Sequence, residues 1–280
     1  MSVRPSVASV SEAIALGRRR LSGAEGARDV KLLLALAAQV PVDKLSQLGP
    51  MDLTLAVMDR FDGFLARRAT GEPVSQIRGV RAFWRHDFEI TSDVLDPRPE
   101  TETLVEIGLE ASFETVLDLG TGSGCILLSL LAERPGATGL GIDLSERALL
   151  VAMRNRKKLD LESRASFCAS DWYSAVQGRF DLIVANPPYV DAAVYRTLSR
   201  EVQNFEPRLA LTPGEDGTRA YFDIVDGAAD HLNPGGRILV EIGYDQGAAV
   251  AGIFSRAGFR RVSVRQDLGG RDRVVSAQLT

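Results

Sequence analysis

At 280 residues the chain is long enough for one large domain or two smaller ones. Hydrophobic residues make up 45% of it and charged residues 25%, which is typical of a globular protein. A formal net charge of −4 argues against a protein that follows a nucleic-acid backbone, because that task needs a basic surface. No window approaches the roughly 20 apolar residues needed to span a membrane.

The two cysteines, Cys125 and Cys168, lie in apolar runs, so we interpret them as buried thiols and not as a disulfide. Without a cysteine cluster, and with only two histidines, no metal site is expected. The first residues lack the apolar stretch of a secretory signal. Together these features predict a protein of the reducing cytoplasm.

Helical patterns fill the first part of the chain. Capping residues and apolar residues at helical spacing predict three helices, over 13–21, 29–39 and 52–70. We assign residues 1–80 to a small helical domain. Three such helices most often form a packing or recognition domain and not a catalytic one.

The spacing of apolar residues along the sequence changes after this helical domain. Aromatic and apolar residues alternate with charged ones, which predicts a strand over 82–95 that belongs to a hairpin. The alternating residues are Trp84, His86, Phe88 and Ile90. We assign residues 81–97 to a β-hairpin linker.

From residue 98 to residue 280 short apolar strands alternate with helices, which predicts an α/β domain with a mostly parallel sheet covered on both faces. The predicted strands are 115–120, 138–143, 165–171, 180–186, 236–243, 260–267 and 273–279, the last two as an antiparallel pair. The predicted helices are 99–111, 123–133, 145–159, 218–232 and 246–257.

A glycine-rich loop, DLGTGSG (118–124), follows the first strand of this domain. Its glycines let a ligand approach the backbone, and the helix beyond the loop offers free N–H groups. Asp143 ends the next strand, where a carboxylate can accept both hydroxyls of a ribose. The loop departs from the dinucleotide pattern, and no Arg or Lys stands nearby to clamp a pyrophosphate. We therefore expect S-adenosylmethionine as the cofactor, with NAD as the alternative.

Two further strand ends carry polar or aromatic groups. Trp172 follows the third strand, where an adenine would lie, although a core aromatic is an equal alternative. The fourth strand ends in Asn186-Pro187-Pro188-Tyr189. The prolines fix an extended corner and leave carbonyl oxygens without a neighbouring donor, which suits a flat group that carries an NH2. Because the carboxyl ends of neighbouring strands meet, this corner should face the methyl group of the cofactor.

Asn-Pro-Pro-Tyr in this place is typical of class I methyltransferases that act on planar nitrogens. Over nearly its full length the chain resembles the bacterial peptide-chain release factor glutamine methyltransferases (the HemK/PrmC family). Two departures are Gln76, where a Tyr is expected, and Asp96, where an apolar residue is expected. The similar stretches are DPRPETETLVE (96–106), DLGTGSGCILLSL (118–130), DLIVANPPYV (181–190), FEPRLALTPGEDG (205–217), NPGGRILVEIG (233–243) and DLGGRDRVV (267–275).

The resemblance implies a Rossmann-like class I methyltransferase domain over 98–280, with a seven-stranded, mostly parallel sheet. It implies that the preceding helical bundle helps to bind a release factor. The implied reaction is N5-methylation of the glutamine in the Gly-Gly-Gln motif of release factors, which converts S-adenosylmethionine into S-adenosylhomocysteine. A monomer that binds neither nucleic acid nor membrane is expected.

The resemblance also assigns roles to individual residues. It implies that the cofactor is bound by Gly120, Thr121, Gly122, Ser123, Gly124, Asp143, Trp172 and Asn186. It implies that the glutamine is held by Asn186, Pro187, Pro188 and Tyr189, of which Asn186, Pro187 and Tyr189 are expected to be catalytic.

Several alternatives stay open. Related chemistry methylates a glutamine of a ribosomal protein, and DNA adenine methyltransferases share Asn-Pro-Pro-Tyr but need base flipping and a basic recognition segment. A cofactor-binding regulator would have a damaged acceptor motif, whereas this one is intact. Glu100 and Glu102 fit a helix-dipole role or a catalytic one. Arg98 and Glu206 fit an ion pair or two solvated surface charges.

Overall fold

The computed structural model describes residues 9–21, 24–214 and 216–279, with the backbone alone for Ala24 and Glu25. The chain divides into two compact units, Met1–Gly79 and Val80–Thr280. Residues 1–8, on which the expectation about a secretory signal rests, lie outside the described residues, as does Glu215 of the stretch 205–217.

The first unit is helical. Its described α-helices are α1 (Val10–Arg20), α2 (Ala24–Ala38), α3 (Leu55–Ala69) and α4 (Val74–Arg78), and two 3-10 turns, Val42–Gln47 and Pro50–Asp52, lie between α2 and α3. The N-cap Ser9 accepts a hydrogen bond from the N–H of Glu12, and Val30, Leu34 and Phe61 lie in the shared core. The three predicted helices are present. α4 was not predicted, because five residues are too few to show a helical period.

A two-stranded antiparallel hairpin opens the second unit. Its strands are β1 (Val80–Phe83) and β2 (His86–Glu89). The prediction of one strand over 82–95 was wrong, because the alternation runs through both strands and the turn between them. Trp84 stands in that turn with a left-handed φ of 54°. The Glu102 carboxylate accepts a hydrogen bond of 2.7 Å from the Trp84 backbone N–H, so Glu102 has a structural contact and not only a helix-dipole position.

Seven strands form the main sheet, in the order β5-β4-β3-β6-β7-β9-β8. The first five in that order are parallel, and β9 is antiparallel to both of its neighbours. The prediction of a seven-stranded, mostly parallel sheet is confirmed. The strands are β3 (Thr115–Leu119), β4 (Thr138–Asp143), β5 (Ala165–Ala169), β6 (Phe180–Ala185), β7 (Leu232–Glu241), β8 (Arg260–Gln266) and β9 (Asp272–Gln278).

Helices cover both faces of this sheet, as successive strand residues point to opposite sides. Val116 and Leu182 lie in one core cluster with residues of α5 and α6, whereas Leu117 and Ile183 lie in another with residues of α11 and α12. The helices of this unit are α5 (Glu102–Leu109), α6 (Cys125–Glu133), α7 (Glu146–Lys158), α8 (Ala192–Tyr195), α9 (Arg200–Phe205), α10 (Arg208–Leu211), α11 (Arg219–His231) and α12 (Gly247–Arg256).

The chain reverses its direction across the sheet at β3. β4 and β5 lie on one side of β3, and β6 and β7 lie on the other. In open α/β sheets a ligand binds at the carboxyl ends of the strands beside such a switch point. A ligand is therefore expected at the loops that follow β3, β4, β5 and β6. Among the described helices, none is long and apolar enough to cross a membrane.

Candidate active site

A cavity of about 400 Å³ opens at the carboxyl ends of the strands. Its volume falls in the range of small-molecule sites. The sequence-predicted residues that line it are Gly120, Thr121, Gly122, Ser123, Asp143, Trp172, Asn186 and Pro188. Four separate stretches of chain are thus brought to one place, as the parallel topology required.

Three predicted residues are not among the lining. Gly124 caps α6 with a φ of 80°, and a Cβ at this position would meet other side chains at 3.1 to 3.4 Å. The backbone conformation at this position therefore requires glycine. Pro187 is buried, and Tyr189 directs its hydroxyl to Glu241 behind the corner.

Several hydrogen bonds fix the glycine loop, and in three of them Thr121 or Gly122 is the donor. The Thr121 hydroxyl donates to Asp118 Oδ2 at 2.6 Å, and the Thr121 N–H donates to the carbonyl oxygen of Ile142 at 2.8 Å. The Gly122 N–H donates to Asp143 Oδ2 at 2.9 Å. Gly120 and Gly122 have φ values of 72° and 54°, and a Cβ built on either meets nothing within 4 Å. This part of the backbone is therefore held open to the cavity.

Asp143 stands at the mouth of the loop with both carboxylate oxygens engaged. Oδ2 accepts from Gly122, and Oδ1 accepts from the N–H of Ser145 at 2.8 Å. Burial raises the pKa of Asp143, while these backbone hydrogen bonds lower it. An ionised carboxylate has about four lone-pair sites. Lone pairs consequently remain for hydroxyl donors that enter the cavity.

Trp172 lies in a tight turn that follows β5. Its φ of 45° is unusual for a residue other than glycine. The Ser170 hydroxyl stabilises the turn, since it donates to the Trp172 carbonyl at 2.6 Å and accepts from the Ala175 N–H at 3.0 Å. Trp172 lines the cavity and also packs against the core, so its position is compatible with both interpretations, and its contact with an adenine stays a prediction.

The corner Asn186–Tyr189 is held from behind at both ends. Asn186 Nδ2 donates to Thr101 Oγ1 at 3.3 Å. The Tyr189 hydroxyl donates to Glu241 Oε1 at 3.3 Å, and its carbonyl accepts from Gln246 Nε2 at 3.1 Å. Burial raises the pKa of the Tyr189 phenol, which therefore stays a hydrogen-bond donor.

Sequence reasoning missed three buried polar residues beside the predicted ones, namely Thr101, Asp118 and Glu241. Burial raises the pKa of Glu241 to about 7, against a hydrogen bond with the Thr101 side chain and the charge of Arg273, which lower it. A signal for Glu241 was present. Like Asn186 and Asp143, it lies at the carboxyl end of a strand of the parallel sheet.

Arg98 and Glu206 form an ion pair, so the alternative of two solvated charges was wrong. Arg98 Nη2 lies 2.6 and 2.7 Å from the two carboxylate oxygens of Glu206, which is buried. Burial raises the pKa of Glu206, and the Arg98 charge lowers it. Arg98 lines the cavity, and so does Pro207, which directly follows Glu206 in the sequence. The ion pair between Arg98 and Glu206 therefore joins two parts of the cavity wall.

Both cysteines are free thiols, as predicted, although only Cys125 is buried and Cys168 is half-buried. Cys125 lines the cavity in the first turn of α6. Burial raises its pKa to about 12, which outweighs a hydrogen bond with the Ser123 side chain. Among the described residues, no group of three or more His, Cys, Asp or Glu side chains is placed to hold a metal ion.

Asp118 gives the fold a testable pH dependence. Burial raises its pKa from 3.8 to about 7, against the hydrogen bond from Thr121. The folded state therefore keeps this proton to a higher pH than the unfolded state does, and stability falls as pH rises through about 7. In ligand-free protein, Asp118→Asn should gain about 2–3 kcal/mol in free energy of unfolding, relative to the parent, between pH 5 and pH 8. Denaturant unfolding at the two pH values measures this gain.

Asp181→Asn is the control for that comparison. Despite burial, hydrogen bonds from Asn233 and from the backbone at 114 and 115 lower the pKa of Asp181. Its titration lies below pH 5, so its stability difference from the parent should be the same at both pH values. A difference for Asp118→Asn that does not change with pH would mean that Asp118 is ionised throughout.

Comparison with known proteins agrees with this geometry. Two protein-family models match the sequence. The family model of the PrmC N-terminal domain matches residues 12–79, and the family model of the methyltransferase small domain matches residues 93–205. A crystal structure of a methyltransferase from Pyrococcus furiosus superposes with a TM-score of 0.54 at 16% identity, covering 78% of this chain and 98% of that one. The predicted methyltransferase fold is confirmed.

Two curated relatives are similar over most of their length. The release factor glutamine methyltransferase of Cereibacter sphaeroides is 52% identical over 255 residues, which cover 91% of this chain and 92% of the relative. That of Caulobacter vibrioides is 44% identical over 252 residues, covering 88% and 87%. Identity at this level over nearly the whole chain means that this protein is an enzyme of the release factor glutamine methyltransferase family.

Proposed function

We propose that this protein transfers a methyl group from S-adenosylmethionine to the N5 atom of the glutamine in the Gly-Gly-Gln motif of peptide-chain release factors. One observation carries the proposal: Asn186 lines the same cavity as the open glycine loop and Asp143. An acceptor motif for planar nitrogens and a nucleoside-binding pair thus share one enclosure. We further infer that it works as a monomer, since all of these groups belong to a single chain, and in the reducing cytoplasm, since both of its cysteines are free thiols.

The cavity suits S-adenosylmethionine. The backbone at Gly120 and Gly122 is open, which leaves room for the amino-acid part of the cofactor beside the loop. Asp143 has lone pairs left for the ribose hydroxyls. Trp172 offers an aromatic face for the adenine. When bound, S-adenosylmethionine supplies a methyl group on a positively charged sulfur.

The corner Asn186–Tyr189 supplies what an amide nucleophile needs. The lone pair of an amide nitrogen is delocalised into its carbonyl group, and the amide is too weak an acid to be deprotonated first. In our proposal the Asn186 side-chain oxygen and the Pro187 carbonyl each accept one hydrogen of the substrate NH2. These acceptors aim the nitrogen at the methyl group and stabilise positive charge that develops on it.

Positioning is the main contribution of the protein in this mechanism. Holding two reactants in line can lower a barrier by roughly 7–11 kcal/mol. As the bond from nitrogen to the methyl group formed, the bond from sulfur to that group would break and S-adenosylhomocysteine would leave. The methylated nitrogen would then lose one proton to solvent, so a side-chain base is not required before transfer. Pro188 forms part of the cavity wall beside the acceptor, and Tyr189 stabilises the corner through Glu241. The ion pair between Arg98 and Glu206 joins two parts of the cavity wall.

We assign release factor recognition to the helical domain over residues 1–80. Its match to a domain model of the same family supports this role. The first unit also exposes large apolar side chains, with Met51 89% and Leu55 80% exposed. In our proposal these two side chains contact the release factor.

The test is transfer of labelled methyl from S-adenosylmethionine to an intact release factor. We expect label at the glutamine of the Gly-Gly-Gln motif. The Gln→Asn release factor should be nearly silent, because asparagine is one methylene shorter and a misplacement of about 1 Å can cost about 10²-fold in rate. Since the first unit is proposed to bind the substrate protein, a short Gly-Gly-Gln peptide should show a higher KM than the intact factor.

The same assay includes adenine-rich duplex DNA and ribosomal proteins as competing acceptors. Label in DNA, or in the Gln→Asn release factor at another residue, would contradict the proposed substrate. Stronger labelling of a ribosomal protein would mean that this protein, and not the release factor, is the substrate. Equal KM values for the peptide and the intact factor would assign the helical domain another task.

A further inference from the structure

Beside the acceptor corner lie two buried polar side chains that the proposed mechanism does not bring into contact with the substrate amide, namely Thr101, which also lines the cavity, and Glu241. Thr101 is 2% exposed and Glu241 is 1% exposed. They belong to separate parts of the chain, a 3-10 turn at Pro99–Thr101 and the end of β7. Burying polar groups is unfavourable unless each finds a partner, so each of these side chains should contact another polar group.

The contacts form a connected chain from Glu241 to Asn186. The side chain of Thr101 favours the ionised form of Glu241 and so lies near its carboxylate, whose Oε2 accepts no hydrogen bond from the described residues and is free to receive the proton of the Thr101 hydroxyl. Glu241 Oε1 accepts from the hydroxyl of Tyr189 at 3.3 Å. Thr101 Oγ1 in turn lies 3.3 Å from Asn186 Nδ2. Arg273, which Asp267 holds at 3.2 Å, is a buried positive charge that favours the ionised form of Glu241.

The direction of each hydrogen bond follows from the chemistry of the groups. An ionised carboxylate only accepts, so the single proton of the Thr101 hydroxyl is directed to Glu241. Thr101 then has only lone pairs to offer to Asn186. The Asn186 side chain must consequently turn its NH2 group towards Thr101, and its oxygen is left for the cavity.

The orientation of this amide matters because its two ends have opposite functions. In the reversed orientation an NH2 group would face the NH2 group of the substrate, and two donors would meet. We propose that Thr101 and Glu241 are positioning residues that keep the Asn186 oxygen directed at the substrate nitrogen. This inference rests on the proposed function and extends it to two residues that do not touch the substrate amide.

Thr101→Val and Thr101→Ser form a matched pair for the test. Valine has the shape of threonine without the hydroxyl, whereas serine keeps the hydroxyl and loses the methyl group. At pH 8, above the pKa of Glu241, Thr101→Val should lower kcat on intact release factor about tenfold, as the loss of one hydrogen bond predicts. KM and the Kd for S-adenosylmethionine should change by no more than about twofold. Thr101→Ser should recover most of the lost kcat.

Glu241→Gln, alone and combined with Thr101→Val, tests the carboxylate. If Glu241 acts through Thr101, the double variant should be little slower than the slower single variant, since coupled residues are not additive. Thermal unfolding of each variant checks that it is folded. Equal losses in Thr101→Ser and Thr101→Val would reduce Thr101 to a packing role. Additive losses would limit Glu241 to its contact with Tyr189. A parent enzyme that labels no release factor would instead contradict the proposed function.

Discussion

Replacing Asn186 with alanine should lower turnover by about 10²–10³-fold, the usual cost of losing one preorganised group that stabilises developing charge. The acceptor oxygen is lost, while the glycine loop and Asp143 are untouched. The Kd for S-adenosylmethionine should therefore change much less than kcat. Single-turnover labelling of release factor and calorimetry with the cofactor measure the two quantities separately.

Asn233→Ala is the matched control for Asn186→Ala. Asn233 lies near the start of β7 and donates to Asp181 at 2.7 Å, outside the cavity lining. It should lose some stability and keep its turnover. If Asn186→Ala also turns over at nearly the normal rate, the corner at 186–189 is structural and the acceptor is held elsewhere.

Asp143→Ala should weaken binding of S-adenosylmethionine by about ten- to a hundredfold, since a hydrogen bond to a charged group contributes about 1.5–3 kcal/mol. The variant removes the proposed acceptor of the ribose hydroxyls and the acceptor of the Gly122 N–H. Calorimetry gives the affinity, and thermal unfolding shows whether the loop change has destabilised the protein.

Asp223→Ala provides a second carboxylate at the cavity for comparison. Asp223 also lines the cavity, but its carboxylate is paired with Arg219, which lies 3.0 Å away and also lines the cavity. Its loss should change cofactor affinity only slightly. Equal affinities of Asp143→Ala and the parent would remove Asp143 from the binding site.

Periodicity predicted most of the second unit. The strands at 115–120 and 138–143 agree with β3 and β4 to within a residue, because buried parallel strands are short apolar runs between clear turn signals. The three helices α8 to α10 were missed, since none is longer than six residues. β7 begins at Leu232 and not at 236, as the strand runs through a Pro-Gly-Gly stretch that ordinarily ends one.

The candidate site was predictable wherever a single stretch carried the signal. Asp143 and Asn186 each end a strand, and neighbouring parallel strands bring their carboxyl ends together. Thr101 and Glu241 could not be paired in this way. Their proximity depends on where the fold places the 3-10 turn at 99–101, which no local pattern encodes. The same holds for Arg98 and Glu206, which are distant in sequence and joined only by the fold.

The burial of Cys125 has a consequence for the proposed cofactor, which is an alkylating agent. A thiolate in the first turn of a helix is ordinarily favoured and strongly nucleophilic. Here burial raises the pKa of Cys125 to about 12, so its sulfur is protonated at neutral pH. A protonated thiol is a far weaker nucleophile than a thiolate. We therefore expect this sulfur to stand in the wall of the proposed cofactor site without competing with the substrate for the methyl group.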